Sequence, residues 1–282
     1  MKVFYTKKEI SEFVNSSIKE DKTLGYVPTM GALHHGHGSL IEQSIAENQV
    51  TIVSIFVNPT QFDNRTDLNK YPRTLENDIE LIKKIDASVV IFAPSAEELY
   101  ANNVSSKSYS FDGLEHEMEG KHRQGHFDGV GTVLDLFFNL IKPTNAYFGE
   151  KDFQQLQIVK KLVSKLKLNV NVVGCDIFRE SSGLAMSSRN ERLSKEARIE
   201  AAFIFKTLKQ AKTHFGTKSA TKVEEWVTKQ FAKHTHFNLE YVSVANVNTL
   251  KPVKRKSKNQ QYRLFIAVFI DNIRLIDNIA LN

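Results

Sequence analysis

The stretch YVPTMGALHHGHGSLI, residues 26–41, reads as the end of a buried strand, a glycine-bearing turn and the start of a helix. An apolar run closes at Pro28, and the helix is expected to begin near Gly36 and His37. His34 and His37 stand three positions apart around that start, so both imidazoles can point at one spot above a sheet edge. Gly36 between them lets another backbone or a phosphate come close. The helix start adds unpaired N–H groups and the positive end of the dipole, which attract anions. Two imidazoles there can donate hydrogen bonds to a phosphoryl group whose charge grows in a transition state. In isolation the same stretch also reads as a histidine-rich surface loop, because the chain holds nine histidines.

Outward from this unit the pattern repeats. Further apolar runs over residues 50–57, 88–92, 146–148 and 170–175 predict strands covered on both faces. Helical patterns fall between them, over 7–20, 39–48, 74–85, 129–141 and 152–166. In the fourth, Val130, Val133, Leu134, Phe137 and Ile141 share one face. Alternating strand and helix predicts an α/β fold, a Rossmann-like doubly wound parallel sheet that binds ligands at the carboxyl ends of its strands. After Cys175 the grammar changes. Two helices over 194–215 and 220–234 precede strands over 239–247, 261–270 and 273–279, the last two joined at Asp271-Asn272. The expectation is a nucleotide-binding domain over residues 1–178 and a smaller α+β C-terminal lid domain, with an antiparallel sheet, over 179–282.

Composition mostly excludes. The 282 residues are 41% hydrophobic and 25% charged, the balance of a chain that buries a sizeable core. Residues 1–178 hold 19 basic and 23 acidic side chains, whereas 179–282 hold 19 and 9, so the net +6 hides a strongly basic second part. That part faces something anionic or is simply solvated. The lone Cys175, in an apolar run, rules out an internal disulfide and a cysteine-rich zinc site and is expected to be buried and inert. No apolar stretch approaches the roughly 20 residues of a membrane span, and the N-terminus turns polar too early for a signal peptide. The expected setting is cytoplasmic, with no membrane partner. The chain lacks the P-loop and G-x-G-x-x-G fingerprints. HEMEGKH at 116–122 misses the zinc-helix pattern because Gly120 stands where a second histidine is needed, and no resident metal site is expected.

Three further strand ends carry chemistry. SIFVNPTQF at 54–62 delivers Asn58 and Gln61, uncharged amides suited to hydroxyl, amide or carboxylate groups. NAYFGEKDFQQL at 145–156 places Lys151 in the first turn of a helix, which disfavours a cation unless an anion binds nearby. Asp152 is the natural cap, and Gln155 lies one turn beyond Lys151 on the same face. LAMSSRNERLS at 184–194 offers hydroxyls and a guanidinium for phosphate oxygens, although it also reads as an ordinary capping loop. KHRQGHFDGV at 121–130 adds Arg123 and His126, which can approach the same edge or lie in a solvated loop.

The HxGH element at residues 34–37, with the MSSR loop after the sheet, resembles the HxGH nucleotidyltransferases. PTMGALHHGH, FVNPTQF, GHFDGVGTV, FGEKDFQQL and GLAMSSRN, in that order, are together similar to the pantoate–β-alanine ligases across essentially the whole chain. The resemblance implies an ATP-dependent ligation of pantoate and β-alanine to pantothenate through a pantoyl adenylate, releasing pyrophosphate and then AMP. It implies ATP contacts from Met30, Gly31, Ala32, Leu33, His34, His35, Gly36 and His37. Others would come from Gly149, Glu150, Lys151, Asp152, Phe178, Met186, Ser187, Ser188 and Arg189. His37, His34 and Lys151 would be catalytic, Gln61 and Gln155 would hold pantoate, and Gln61 would also meet β-alanine. Asn58, Arg123 and His126 match positions on the second-substrate side. Mg²⁺ would accompany ATP, and a homodimer is implied.

Departures from the family pattern are Gln124 in place of a common proline and Phe178 in place of a smaller apolar residue at the adenine pocket. Gly38 also weakens the helix start, by about 1 kcal/mol relative to alanine. Two rivals remain at this level. One is another HxGH nucleotidyltransferase, against which the paired glutamines argue. The other is a nucleic-acid-binding protein using the basic run KPVKRKSKNQQYR at 251–263, read as a flexible loop, where only Tyr262 offers a ring for stacking.

Overall fold

The computed structural model describes residues 1–62, 68–69, 71–101 and 103–282. These group into two compact units. The first comprises Met1–Glu150 and Gln154–Asp176, the second Lys151–Phe153 and Ile177–Asn282. A single cut after residue 178 therefore does not describe the division, because a tripeptide that follows the fifth sheet strand groups with the C-terminal residues.

In the first unit six parallel strands lie in the order β1-β4-β3-β2-β5-β6. They are β1 (Lys2–Phe4), β2 (Leu24–Thr29), β3 (Val50–Ile55), β4 (Val90–Phe92), β5 (Asn145–Gly149) and β6 (Asn171–Cys175). The helices α1 (Lys7–Lys19), α2 (His35–Glu47), α3 (Leu75–Ile85), α4 (His126–Ile141) and α5 (Phe153–Leu166) alternate with them. Chain order moves from β2 outward through β3 and β4, then returns to pair β5 on the other side of β2. The direction of winding reverses between β2 and β5, and a doubly wound sheet opens a crevice at such a point. The three-residue β1 carries too little periodicity to be legible in sequence, and it is the strand that the alternation misses.

Period-two alternation explains why β2 lies at the centre. Tyr26 and Val27 point to opposite faces and both are fully buried. On one face Val27, Val53, Ile55 and Ile91 pack with Ile41 and Ile82 of α2 and α3. On the other, Phe137 of α4 meets Phe56 and Phe92 edge-on at 6.0 and 5.9 Å between ring centroids. Such pairs contribute about 0.5–1.5 kcal/mol each beyond the area they bury. The Tyr26 hydroxyl lies 2.8 Å from Ser54 Oγ, so the aromatic face buries no unpaired polar tip there.

Cys175 closes β6 with 4% of its surface exposed. Burial first, then the charges of Glu47 and Asp176, push its thiol up to about 12. At pH 8 only about one thiol in 10⁴ is then ionised. Iodoacetamide is expected to leave the native protein unlabelled and to add one label to the urea-unfolded chain, read by intact mass. Labelling of the native protein at the rate of a free thiol would contradict this burial.

In the second unit α6 (Ala202–Thr217) and α7 (Ala220–Phe231) cover an antiparallel sheet in the order β7-β8-β9. The strands are β7 (Phe237–Asn246), β8 (Tyr262–Ile270) and β9 (Ile273–Ala280). Asp271 and Asn272 both take positive φ, 50° and 60°, the geometry of the two-residue hairpin expected there. The sequence pattern predicts one long helix over 194–215. The chain instead forms Lys195–Glu200, capped by Ser194, and then α6. The basic run 251–263 is also not a free loop. Lys256 donates to the carbonyls of Phe215 and Gly216, capping the negative end of α6. Arg263 is 7% exposed, its guanidinium 4.1 Å from the Phe153 ring centroid. Two of the cations that suggested nucleic acid therefore do internal work. Among the described residues no helix is long and apolar enough to cross a membrane.

Candidate active site

The sheet order sets β3, β2 and β5 side by side, so the segments following all three leave the same edge. After β2 the chain turns through Gly31 (φ 82°) and Ala32 (φ 51°). That turn is held from below by Asp78 of α3, 2% exposed, which accepts from Ala32 N at 3.1 Å and Leu33 N at 2.7 Å. Thr74 Oγ1 donates to the same carboxylate at 3.3 Å. Asp78 is not among the sequence candidates. In sequence it reads as an ordinary acid in the first turn of a helix, and only the packing of α3 shows its use.

Helix α2 begins earlier than expected, with His34 as its cap. His34 Nδ1 accepts from Gly36 N at 3.1 Å, and His37 Nδ1 accepts from His34 N at 3.3 Å. A backbone N–H can only donate, so both Nδ1 atoms carry lone pairs and each neutral ring bears its proton on Nε2. The two rings lie 4.1 Å apart between centroids, tilted by 37°. Both rings thus leave one helix start side by side. His35, between them, is exposed.

After β3, Asn58 and Gln61 differ sharply. Asn58 is 1% exposed. Its Oδ1 accepts from Tyr100 at 2.6 Å and from Thr60 Oγ1 at 3.0 Å, and its Nδ2 donates to Gly129 O at 3.1 Å. This amide holds the turn against α4. Gln61 is 9% exposed, and among the described residues its side chain takes no hydrogen bond. Its backbone carbonyl lies 3.0 Å from His126 Nδ1, while Arg123 lies 3.2 Å from His126 Nε2. A carbonyl only accepts and a guanidinium only donates, so His126 is the neutral Nδ1–H tautomer. His126, 7% exposed, is a relay that braces Gln61 and orients Arg123. Gly129 makes this packing possible, since a Cβ there would meet Thr60 O at 2.2 Å. Gln124 is exposed.

After β5 a 3₁₀ turn, Glu150–Asp152, replaces the expected first helical turn, and α5 starts at Phe153. Gln154 is 5% exposed. It accepts from Glu119 N at 3.0 Å and donates to Leu114 O at 2.8 Å and Glu117 O at 2.7 Å. The half-buried Gln155 beside it takes no side-chain hydrogen bond among the described residues. Of two adjacent glutamines, one is structural and the other is unengaged.

Within the second unit, Lys151, Ser187, Arg189, Asn190, Arg274 and Asp277 are among the residues lining a shallow, solvent-open recess. The Lys151 ammonium is 3.7 Å from Asp152 and its side chain is 16% exposed. Ser187 caps the 3₁₀ turn Ser188–Arg192, accepting from Arg189 N at 3.2 Å. Asn190, 1% exposed, donates to Glu180 at 2.8 Å and Ala185 O at 3.1 Å, and so fixes the loop from inside. Met186 is half-buried, and Arg189 reaches solvent. Phe178 is 41% exposed. Of the three cationic side chains at the recess, Arg274 is already paired with Glu240 at 2.6 Å, and Asp277 lines the same recess.

The sequence model of the family described as pantoate-beta-alanine ligase matches residues 2–280. The chain is 55% identical over 281 residues to the pantothenate synthetase of Flavobacterium psychrophilum, with 100% of each chain covered. It superposes on the crystal structure of pantothenate synthetase from Thermus thermophilus with a TM-score of 0.91 at 35% identity, covering 100% and 99% of the two chains. The pantoate-beta-alanine ligase of Francisella tularensis, solved in complex with beta-gamma ATP and beta-alanine, gives 0.81 at 36% identity, covering 100% and 98%.

Proposed function

The chain belongs to the pantoate–β-alanine ligase family, and from that premise we propose that it joins pantoate and β-alanine at the expense of ATP to give pantothenate. A pantoate carboxylate oxygen attacks the α-phosphorus of ATP. The bond to the β-phosphate breaks, and pyrophosphate leaves with its electron pair. The amine of β-alanine, having given its ammonium proton to solvent, then attacks the acyl carbon of the pantoyl adenylate and releases a second proton to solvent as the amide forms. The acyl–oxygen bond breaks and AMP departs. Pantothenate is the product.

The observation that carries this reading is the contrast between engaged and unengaged amides. Asn58 and Gln154 are hydrogen-bonded within the protein. Gln61 and Gln155 keep their amides for a ligand that offers hydroxyl and carboxylate groups, as pantoate does. The Nε2–H groups of His37 and His34 are assigned to the phosphoryl oxygens, where charge grows as the new bond forms. Lys151, Arg189, Ser187 and Ser188 are assigned to the phosphates, and Met30, Gly149 and Met186 to the remainder of the nucleotide. Attack by a carboxylate on a polyanion calls for charge neutralisation and alignment, which this set supplies without a covalent nucleophile. Among the described residues no three acids, histidines or cysteines gather to hold a metal. Mg²⁺ enters on the triphosphate, as part of the substrate. The family resemblance also supports a homodimer and a cytoplasmic setting.

A pyrophosphate-release assay tests the reading. Release should require pantoate, and AMP formation should require β-alanine. Pantoate-independent turnover would assign the chain to another nucleotidyl transfer.

A further inference from the structure

Lys151 and the loop bearing Ser187 and Arg189 are distant in sequence, yet within the second unit both are fastened to one dipeptide of β9. Asn278, 1% exposed, donates from Nδ2 to the backbone carbonyl of Lys151 at 2.9 Å. Its Oδ1 accepts from Arg263, whose guanidinium covers Phe153, the residue two places after Lys151. Asp277, 4% exposed, accepts from both terminal nitrogens of Arg179, at 2.8 and 2.9 Å. Arg179 in turn lies 3.6 Å from the Phe205 ring centroid and donates to Gly183 O at 3.0 Å. From there a short hairpin, with the bridge Arg179↔Ala185 and Met186 N bonded to Phe178 O at 3.0 Å, leads into Ser187 and Arg189.

The electrostatics run the same way. Burial pushes the Asp277 carboxyl up, and Arg179 first, then the Asn278 N–H and Lys151, pull it back down. Lys151 is therefore within electrostatic range of a carboxylate that is already doubly bonded to another cation. Replacing a buried ion pair by apolar side chains is often neutral or stabilising, so the pair by itself is weak evidence for a stabilising role. What it supplies here is a fixed geometry between two segments.

We propose that Asp277 and Asn278 are positioning residues for adenylate formation, holding the Lys151 turn in register with the Ser187–Arg189 loop so that both meet the same triphosphate. The proposal rests on the assignment of Lys151 to the phosphates. Neither residue touches the reacting atoms; Asn278 acts on the Lys151 backbone and Asp277 on Arg179 and the Lys151 charge. Misplacing a catalytic group by about 1 Å can cost up to 10²-fold, so partial loss of one tether is expected to cost about 10-fold.

The test is a double-mutant cycle on the full chain, read by single-turnover pyrophosphate release at saturating ATP and pantoate. Asp277→Asn and Asn278→Ala are each expected to lower the rate about 10-fold in the wild-type background. In the Lys151→Ala background Asn278→Ala should cost less than about twofold, whereas Asp277→Asn, which also loosens the Arg179 hairpin, should keep part of its effect. The KM for pantoate should stay unchanged. Breaking one side of a buried pair is costly to stability, so thermal unfolding is followed in parallel. If Asp277→Asn does not fold, Asn278→Ala, which leaves the Arg179 pair intact, carries the cycle alone. Wild-type rates in folded variants would overturn the proposal, as would effects that multiply in full with Lys151→Ala. A wild-type rate for Lys151→Ala by itself would instead remove the assignment of Lys151, and the proposal with it.

Discussion

Lys151→Ala is expected to slow adenylate formation by about 10²-fold or more, the scale of losing one donor that acts on developing transition-state charge. The side chain has little structural work to do. It is 16% exposed, and its ion pair with Asp152 is loose, at 3.7 Å. Asp277 keeps both bonds to Arg179 when Lys151 is truncated, so no buried charge is left unpaired. Thermal stability should change little while the burst of pyrophosphate in a quenched-flow experiment shrinks. His37→Ala should fall on the same scale, because the Nε2–H fixed by the His34 backbone bond disappears. Turnover at the wild-type rate in either variant would remove that residue from the chemistry.

The second large effect separates two neighbouring glutamines. Gln155→Ala should raise the KM for pantoate by roughly 10–100-fold, the worth of a hydrogen bond to a charged group. ATP binding and the unfolding midpoint should hardly move, since the Gln155 side chain makes no hydrogen bond among the described residues. Gln154→Ala should do the reverse. It strands Glu119 N, Leu114 O and Glu117 O around an emptied site, at about 3 kcal/mol. Urea unfolding and pantoate titration on the two variants form a crossed comparison. An unfolding loss for Gln155→Ala with normal pantoate use would reverse the assignment.

The sheet is legible in sequence because its strands are long apolar runs between helices of clear period, and a doubly wound topology follows from that alternation. The candidate site is legible where short motifs end strands, as at His34, His37, Gln61 and Lys151. The parts that escape depend on contacts between distant segments. A histidine capping its own helix lies outside the usual Ser, Thr, Asp and Asn set, so the pattern starts α2 too late. Asp78 looks like any first-turn acid until α3 packs beneath the Gly31 turn. Asn58 has the composition of a ligand contact, and only the positions of Tyr100 and Gly129 reveal its amide as internal. Arg263 closes a run of cations that reads as solvated, yet it lies over Phe153.

The tripeptide Lys151–Phe153, which groups with the C-terminal residues, bears on how such chains can be shuffled. A chimera that exchanged residues 177–282 between relatives would set a foreign β8 and β9 against a native Phe153, whose ring lies 5.9 Å from Phe265. Crossover points that respect the compact units must carry these three residues with the C-terminal segment, as a second, very short graft. Selection on either segment is thereby coupled to the other, and drift in β9 has to be matched at a turn more than a hundred positions upstream.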